Sequence, residues 1–346
     1  MRIVLLIIAA LAVAAAARLA VVVIPASGAL TDPAPSDVSA CTPVEIAPGT
    51  EDVVFDRETG LVFVSAMNRR SEAMDPRNGI YAFALEDPVS TVRLVSTDTP
   101  ADFRPHGISL YRDGETARLF VVSHPASGSQ ILIFDIAEDG TLSHVRTVTA
   151  PAAFSPNDVA AAGPERFYAS NDSRFGPNVL GYLEGFFGLP LASIAYFDGE
   201  AGRIAADGLT YANGVQLSQD GGTLYAANFI GREIFVYDRD PATGGLTRTA
   251  RHRVPLGLDN IELGEDGALY IGGNPEVFSF LAHQSDPDAR APSQAVRVDP
   301  ESGAWETVFY NDGTAIDSIS VATPVPGGLI LGAVFDSHIL ICPRQP

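Results

Sequence analysis

Positive charge is scarce in this chain: 22 Lys and Arg stand against 42 Asp and Glu over 346 residues, a formal net charge of −20 at pH 7. So anionic a protein is repelled by nucleic acid and by anionic membrane surfaces, and neither is an expected partner. Cysteine is scarcer, with only Cys41 and Cys342. Two thiols cannot build a cysteine zinc cluster or a disulfide-dense scaffold. Beyond the N-terminal segment there is also no long helical pattern between the apolar runs. What is present is 46 % apolar and 18 % charged residues, with 32 Gly and 25 Pro. That balance describes a folded chain with a core, and not a disordered acidic tail.

The N-terminus is set apart from the fold. Ile3 to Ala17 is purely apolar, Arg2 precedes it, Arg18 interrupts it, and Leu19 to Pro25 resumes it. The run is an export signal, and two fates stay open. Small residues from Pro25 to Ala29 suit cleavage. Equally, the run is close to the roughly 20 residues that span a bilayer, with Arg18 costing a few kcal/mol if it lies deep. Residues 1–25 are thus read as a signal peptide or signal anchor, 26–40 as a Pro/Ser/Asp-rich linker, and 41–346 as the folded domain. The protein is expected to be exported, whether periplasmic, secreted or anchored outside the cytoplasm, with membrane association possible through this segment.

In an exported protein, Cys41 and Cys342 read as one disulfide joining the ends of the domain, two buried free thiols being the alternative. The placement suits a fold whose ends must meet, and an internal repeat indicates which fold. Six times the chain shows two polar or small residues and then Val or Ile: Glu51-Asp52-Val53, His106-Gly107-Ile108, Asn157-Asp158-Val159, Asn213-Gly214-Val215, Asp259-Asn260-Ile261 and Asp317-Ser318-Ile319. Each opens a short strand, and most copies continue through a turn into a second, such as Leu119-Phe120-Val121-Val122 or Leu224-Tyr225-Ala226-Ala227. The reading is an all-β protein, a six-bladed β-propeller of roughly 50 residues per blade, closed end to end and preceded by the hydrophobic helix.

If each polar pair opens the innermost strand of its blade, radial symmetry gathers the pairs at one end of the central channel. Glu51, Asp52, His106, Asn157, Asp158, Asn213, Asp259, Asn260 and Asp317 would meet there. Any one pair is an ordinary turn former. At equivalent places in a repeat they form an oxygen-rich ring, which suits calcium, whereas zinc would call for sulfur or several imidazoles. Without a cation so many carboxylates would repel one another and resist ionisation.

These motifs, with Val122-Ser123-His124-Pro125, Gly163-Pro164-Glu165-Arg166-Phe167-Tyr168 and Asn171-Asp172, resemble those of the paraoxonase/arylesterase family in the same order from about Cys41 to Cys342. The family comprises calcium-dependent six-bladed propellers that hydrolyse lactones and aryl esters. The resemblance implies two calcium ions. A catalytic one would be held by Glu51, Asn157, Asn213, Asp259 and Asn260, and a deeper structural one by Asp52, Asp158 and the carbonyl of Ile108. It matches the family's disulfide to Cys41 and Cys342 and its histidine pair to His106 and His124, and its retained N-terminal segment favours an anchor. His106, supported by His124, is the expected base for water, a carboxylate at the metal (Glu51 or Asp259) being the rival. Where the family commonly has another rim histidine this chain has Asn274, which puts organophosphate hydrolysis in doubt.

Tyr211 and Phe335 are candidate apolar walls for a small hydrophobic lactone or ester. His144, His252 and His283 sit in polar contexts and read as solvated. The apolar stretch Leu183 to Leu189 is either a membrane-associating segment or a helix over the site. Two other readings remain open, a sugar-lactonase propeller with a polar pocket and a non-catalytic calcium-stabilised scaffold.

Overall fold

The computed structural model describes residues 2–29 and 33–344. Residues 30–32 of the linker and the last two residues lie outside it. Six four-stranded antiparallel sheets form the blades. Their first strands are Thr50–Asp56, Pro105–Asp113, Pro156–Ala161, Ala212–Leu217, Gly257–Leu263 and Ile319–Val325. Each packs against the first strand of the next blade, so these six line the axis, and successive strands step outward.

The sheets bury both faces because each blade is sandwiched between two others. Val54, Phe63 and Ile80 of the first blade interlock with Ile108, Leu119, Val121 and Leu132 of the second. Phe120 and Val122, on the other face of that second blade, pack against Val159, Phe167 and Ala169 of the third. A middle strand such as Leu119-Phe120-Val121-Val122 is therefore buried at every position, and reads in sequence as a continuous apolar run where a one-faced sheet would alternate.

The ring closes by mixing the chain ends. Thr42–Glu45 is the outermost strand of the sixth blade and pairs with His338–Pro343, Thr42 opposite Ile341 and Glu45 opposite His338. The Cys41–Cys342 disulfide locks this seam across a sequence separation of 301. The N-terminal helix, Arg2–Ala26, projects from the propeller, and its side chains are exposed except near its end. It touches the body where Arg18 Nε donates to Phe187 O at 2.9 Å and Arg18 Nη2 to Gly188 O. Those carbonyls end a second helix, Val179–Phe186, which overlaps the start of the apolar stretch noted in the sequence, and Tyr182, Leu183 and Phe186 are exposed on it. A third, Val277–Ser285, has no counterpart in the sequence reading.

The polar pairs owe their direction to a repeated irregularity. In the first strands the ladder slips between Thr50 and Asp52, Pro105 and Ile108, Pro156 and Val159, Ala212 and Val215, and Leu258 and Ile261. Each slip is a bulge over the polar pair, which frees those residues from regular pairing and re-aims them. Two pairs use glycine because neighbouring pairs come so close. A Cβ on Gly107 would lie 2.5 Å from Asp158 Oδ1, and one on Gly214 would lie 2.5 Å from Asp259 O. In the sixth blade the slip falls later, between Ile319 and Val321, and Asp317-Ser318 precedes the strand.

The seam carries a prediction. Replacing Cys41 and Cys342 by serine should lower unfolding free energy by about 3–5 kcal/mol, because the bridge constrains a loop of about 300 residues in the unfolded chain. Denaturant unfolding of the double variant, and of wild type with reductant, reads this out. Unchanged midpoints would mean that strand pairing alone closes the ring.

Candidate functional site

Five bulges deliver their residues to one end of the channel, where Glu51, Asp52, Asn157, Asp158, Asn213, Asp259 and Asn260 are all buried, none more than 5 % exposed. The two aspartates that the sequence assigns to a deeper ion also join blades. Asp52 Oδ2 accepts from Ile108 N of the next blade at 2.6 Å, and Asp158 Oδ2 accepts from Val215 N at 2.7 Å. Their other oxygens accept from Val53 N and Val159 N. Even so, burial foremost, with the charge of Glu51 and for Asp52 that of Asp158, pushes both carboxyls well above the usual range. Asp259 is pushed up as well, by burial and then by Glu51.

Glu51 behaves differently. Burial would raise it, but the charge and hydrogen bond of His106, the charge of Arg69 and an Asn260 hydrogen bond hold it at about 2. Asn260 Nδ2 donates to Glu51 Oε1 at 3.0 Å, and the Arg69 guanidinium lies 3.5 Å from Oε2. Beside these carboxylates the side-chain oxygens of Asn157, Asn213 and Asn260 are buried with no hydrogen-bond partner. A buried amide oxygen left unpaired costs about 1–3 kcal/mol, and here three of them share an end of the channel with carboxylates that resist ionisation. A hard dication that accepts oxygen ligands would satisfy both, so the donor set fits calcium.

Above the ring, His106 Nδ1 lies 2.9 Å from His124 Nε2, and His124 Nδ1 lies 3.0 Å from Ser129 Oγ. His106 Nε2 faces Glu51 Oε1 at 3.6 Å. His124 is pushed down to about 3, chiefly by burial and then by the charge of His106, so it stays neutral. Tyr211 stands two residues before Asn213 with a left-handed φ of 63°, and its ring lies 5.5 Å from Phe229. Burial first, and then nearby Asp172, Asp259 and Glu51, raise its phenol, which lies within hydrogen-bonding reach of Asp172. Asp172 in turn accepts from Ser155 Oγ at 2.5 Å. Asn171-Asp172 was visible in the sequence as a motif, with no role attached.

Two expectations need correction. Asp317 does not join the ring. With the bulge displaced in its blade, it accepts from Ala291 N and gathers with His283 and Asp336, their ligand atoms within 4.8 Å of one another. His283 is not solvated but 2 % exposed, because the third helix buries it against Phe335. Its Nδ1 pairs with Ala289 O and its Nε2 with Arg70 Nη2 at 2.8 Å. Arginine only donates, so Nε2 must accept, and neither ring nitrogen has a lone pair for a metal. Phe335, beside that cluster, packs with Phe280, His283 and the Arg70 guanidinium, which lies 4.3 Å from its ring.

Asn274 ends the second strand of the fifth blade, fully buried, with both amide atoms unpartnered. At the matching place in other blades Ser123, Asn171 and Asn228 accept from the backbone of Arg104, Ser155 and Thr210. In the fifth blade the preceding residues are Pro255, which has no N–H, and Leu256, whose N–H goes to Val254 O. Asn274 is thereby released from the structural task of its counterparts.

Residues 41–343 match the arylesterase family. The chain belongs to that family. It is 31 % identical to serum paraoxonase/arylesterase 1 of Rattus norvegicus over 321 residues, 89 % of each chain, and 30 % identical to serum paraoxonase/arylesterase 2 of Homo sapiens over 303 residues, 84 % of each. Among solved structures, a gluconolactonase from Xanthomonas campestris superposes with a TM-score of 0.57 at 18 % identity, covering 89 % of this chain and 91 % of that one. A calcium-binding regucalcin from Agrobacterium tumefaciens superposes at 0.52 with 12 % identity, covering 88 % and 92 %. At such identities these two establish the propeller alone. Membership in the arylesterase family supports an ester or lactone hydrolase.

The depressed His124 gives a pH test. In an unfolded chain its imidazole binds a proton below its ordinary 6.5, whereas the folded protein refuses it until about 3. Stability from this group is therefore full above pH 6.5 and is lost as pH falls toward 3, by about 2 kcal/mol between pH 7 and 5. Urea unfolding at both values, with calcium present, should show that loss in wild type and not in His124→Gln. Parallel pH dependence of the two proteins would refute the buried neutral imidazole.

Proposed function

We propose that this protein is a calcium-dependent hydrolase of lactones and aryl esters, working at the end of the channel where the bulged pairs meet. The observation that carries the reading is the set of three unpartnered amide oxygens, Asn157, Asn213 and Asn260, among the carboxylates of Glu51 and Asp259. These five residues would hold a catalytic calcium, and Asp52, Asp158 and the carbonyl of Ile108 a second, structural one. A bound calcium supplies Lewis acidity, polarising the ester carbonyl and stabilising the oxyanion that develops there.

The protein's own groups do the rest. His106 takes the proton of the attacking water at Nε2, the ring nitrogen that faces the funnel. Its Nδ1–H is held by the neutral Nε2 of His124, whose Nδ1–H is in turn donated to Ser129 Oγ, so the chain of hydrogen bonds fixes the productive tautomer. Glu51, held ionised, faces the His106 ring as it gains charge. Tyr211 and Phe229 provide an apolar wall for an acyl or aryl group, which favours hydrophobic esters over sugar lactones.

Outside the propeller, we assign residues 1–25 to an export segment kept as an anchor, 26–40 to a linker and 41–346 to the catalytic domain. The seating of Arg18 on the carbonyls that end the second helix supports retention, since that contact ties the segment to the body. An exposed apolar helix and a disulfide both fit a protein exported from the cytoplasm.

The test is hydrolysis of phenyl acetate and of an aliphatic lactone by wild type, Asn213→Ala and His106→Gln, with and without a calcium chelator. Chelation should abolish turnover, and each substitution should cost about 10²-fold or more in kcat. Turnover indifferent to chelation sinks the calcium mechanism. Full activity in His106→Gln moves the base to a carboxylate.

A further inference from the structure

Arg69 touches no reacting atom in the chemistry above, where its charge only helps to hold Glu51 ionised. It lies in the loop after the second strand of the first blade, with its side chain 14 % exposed, beside Glu51 at 3 %. Its Nη1 donates to Gly49 O at 3.1 Å and to Met67 O at 3.3 Å, which anchors one end of the fork. The other edge is different. Nη2 has only the long 3.5 Å approach to Glu51 Oε2, and no described hydrogen bond engages Nε. The Nε/Nη2 edge of a guanidinium carries two parallel donors and matches the two oxygens of a carboxylate.

The nearby carboxylates do not complete that pairing. Those in the field of Arg69 are Glu51, Asp259 and Asp52, all of them assigned to bound ions, and Glu51 already accepts from Asn260 and faces His106. With its anions engaged by dications, the guanidinium would be left as an oriented cation at the ring, its Nε without a described partner and its Nη2 held only by the long Glu51 contact. Burial makes this valuable, because a charge-assisted pair there is shielded from water.

We propose that Arg69 is a specificity-determining residue that binds a carboxylate in the active-site funnel through its Nε/Nη2 edge, which extends the substrate class to esters and lactones bearing an acidic substituent. The inference rests on the hydrolase reading for its catalytic consequence, but the binding itself does not. The same edge accepts carboxylate from either of two sources, an acidic group on the substrate or the acid released by hydrolysis.

The experiment uses the calcium-loaded full chain and the variants Arg69→Met and Arg69→Lys. Calorimetric titration with succinate and with acetate measures carboxylate binding directly. Removal of the fork in Arg69→Met should weaken it about 10–100-fold, the scale of a charged hydrogen-bonded pair. Arg69→Lys, which keeps the charge without the planar fork, should fall between. Kinetics separate the sources: if the substrate supplies the carboxylate, Arg69→Met raises KM for monophenyl succinate by that factor over any change it causes for phenyl acetate. If the product supplies it, the variant relieves inhibition by acetate relative to its own uninhibited rate. Succinate and acetate binding equal in all three proteins would overturn the proposal. So would a uniform loss on neutral and anionic esters, which marks a merely structural arginine. Absence of ester hydrolysis in wild type would instead refute the hydrolase reading while leaving the titration interpretable, and melting temperatures of the variants verify that they fold.

Discussion

The burial of four carboxylates around one axis is the constraint that organises the molecule. Glu51 and Asp52 from the first blade, Asp158 from the third and Asp259 from the fifth reach the same end of the channel, each almost fully removed from water. Burying one ionised carboxylate is costly, and burying four together adds their mutual repulsion. The protein meets part of this with its own donors: backbone N–H groups of Val53, Ile108, Val159 and Val215 on the two aspartates, and Asn260, His106 and Arg69 on Glu51. What remains is visible in the upward shifts of Asp52, Asp158 and Asp259 and in the amide oxygens left without partners. A propeller tolerates such a centre because its cores lie between blades, away from the axis, so hydrophobic stabilisation does not depend on the polar ring.

Ring closure bears on the same centre. Each pair is placed by the bulge at the start of an inner strand, and each inner strand is placed by its two neighbours. An opening at the seam between the sixth and first blades would separate Glu51 and Asp52 from their partners across the axis. The exchange of Thr42–Glu45 into the last blade and the disulfide beside it therefore hold ring geometry as well as chain ends. The contacts at that junction reinforce this: Thr50 Oγ1 donates to His338 O, and Ser320 Oγ donates to Glu51 O.

How far the sequence discloses this depends on whether a feature repeats. The blades and five of the six pairs are legible because the same local chemistry recurs at a spacing that symmetry converts into proximity. Asp317 shows where that reasoning ends: it matches the pattern in composition, but the bulge of its blade falls after the pair, and Asp317 gathers with His283 and Asp336 instead. Nothing in the residue pair announces the shift. The burial of His283 is equally illegible, since its polar flanks describe a loop and the packing is supplied by Phe335 and Arg70 from distant segments. Asn274 was noticed for its identity, but its freedom depends on a missing donor at Pro255 and a diverted one at Leu256, a comparison between blades that needs the ladder registers.

The −20 charge of the chain gives a misleading picture of its centre. All 22 positive residues are arginines, and several lie in exposed pairs such as Arg57 with Glu265, worth at most about 1 kcal/mol each. Arg69 differs from these, a guanidinium set into the acidic end of the channel where water cannot screen it well. An anionic surface discourages acidic ligands at a distance, but beyond a Debye length of about 8 Å in physiological salt that field is weak. Inside the funnel the local charges decide. There the carboxylates are shared among close donors, and the arginine edge that faces them is held only by a long contact to Glu51, so the sign of the site follows from which groups are already paired and not from the balance of the whole chain.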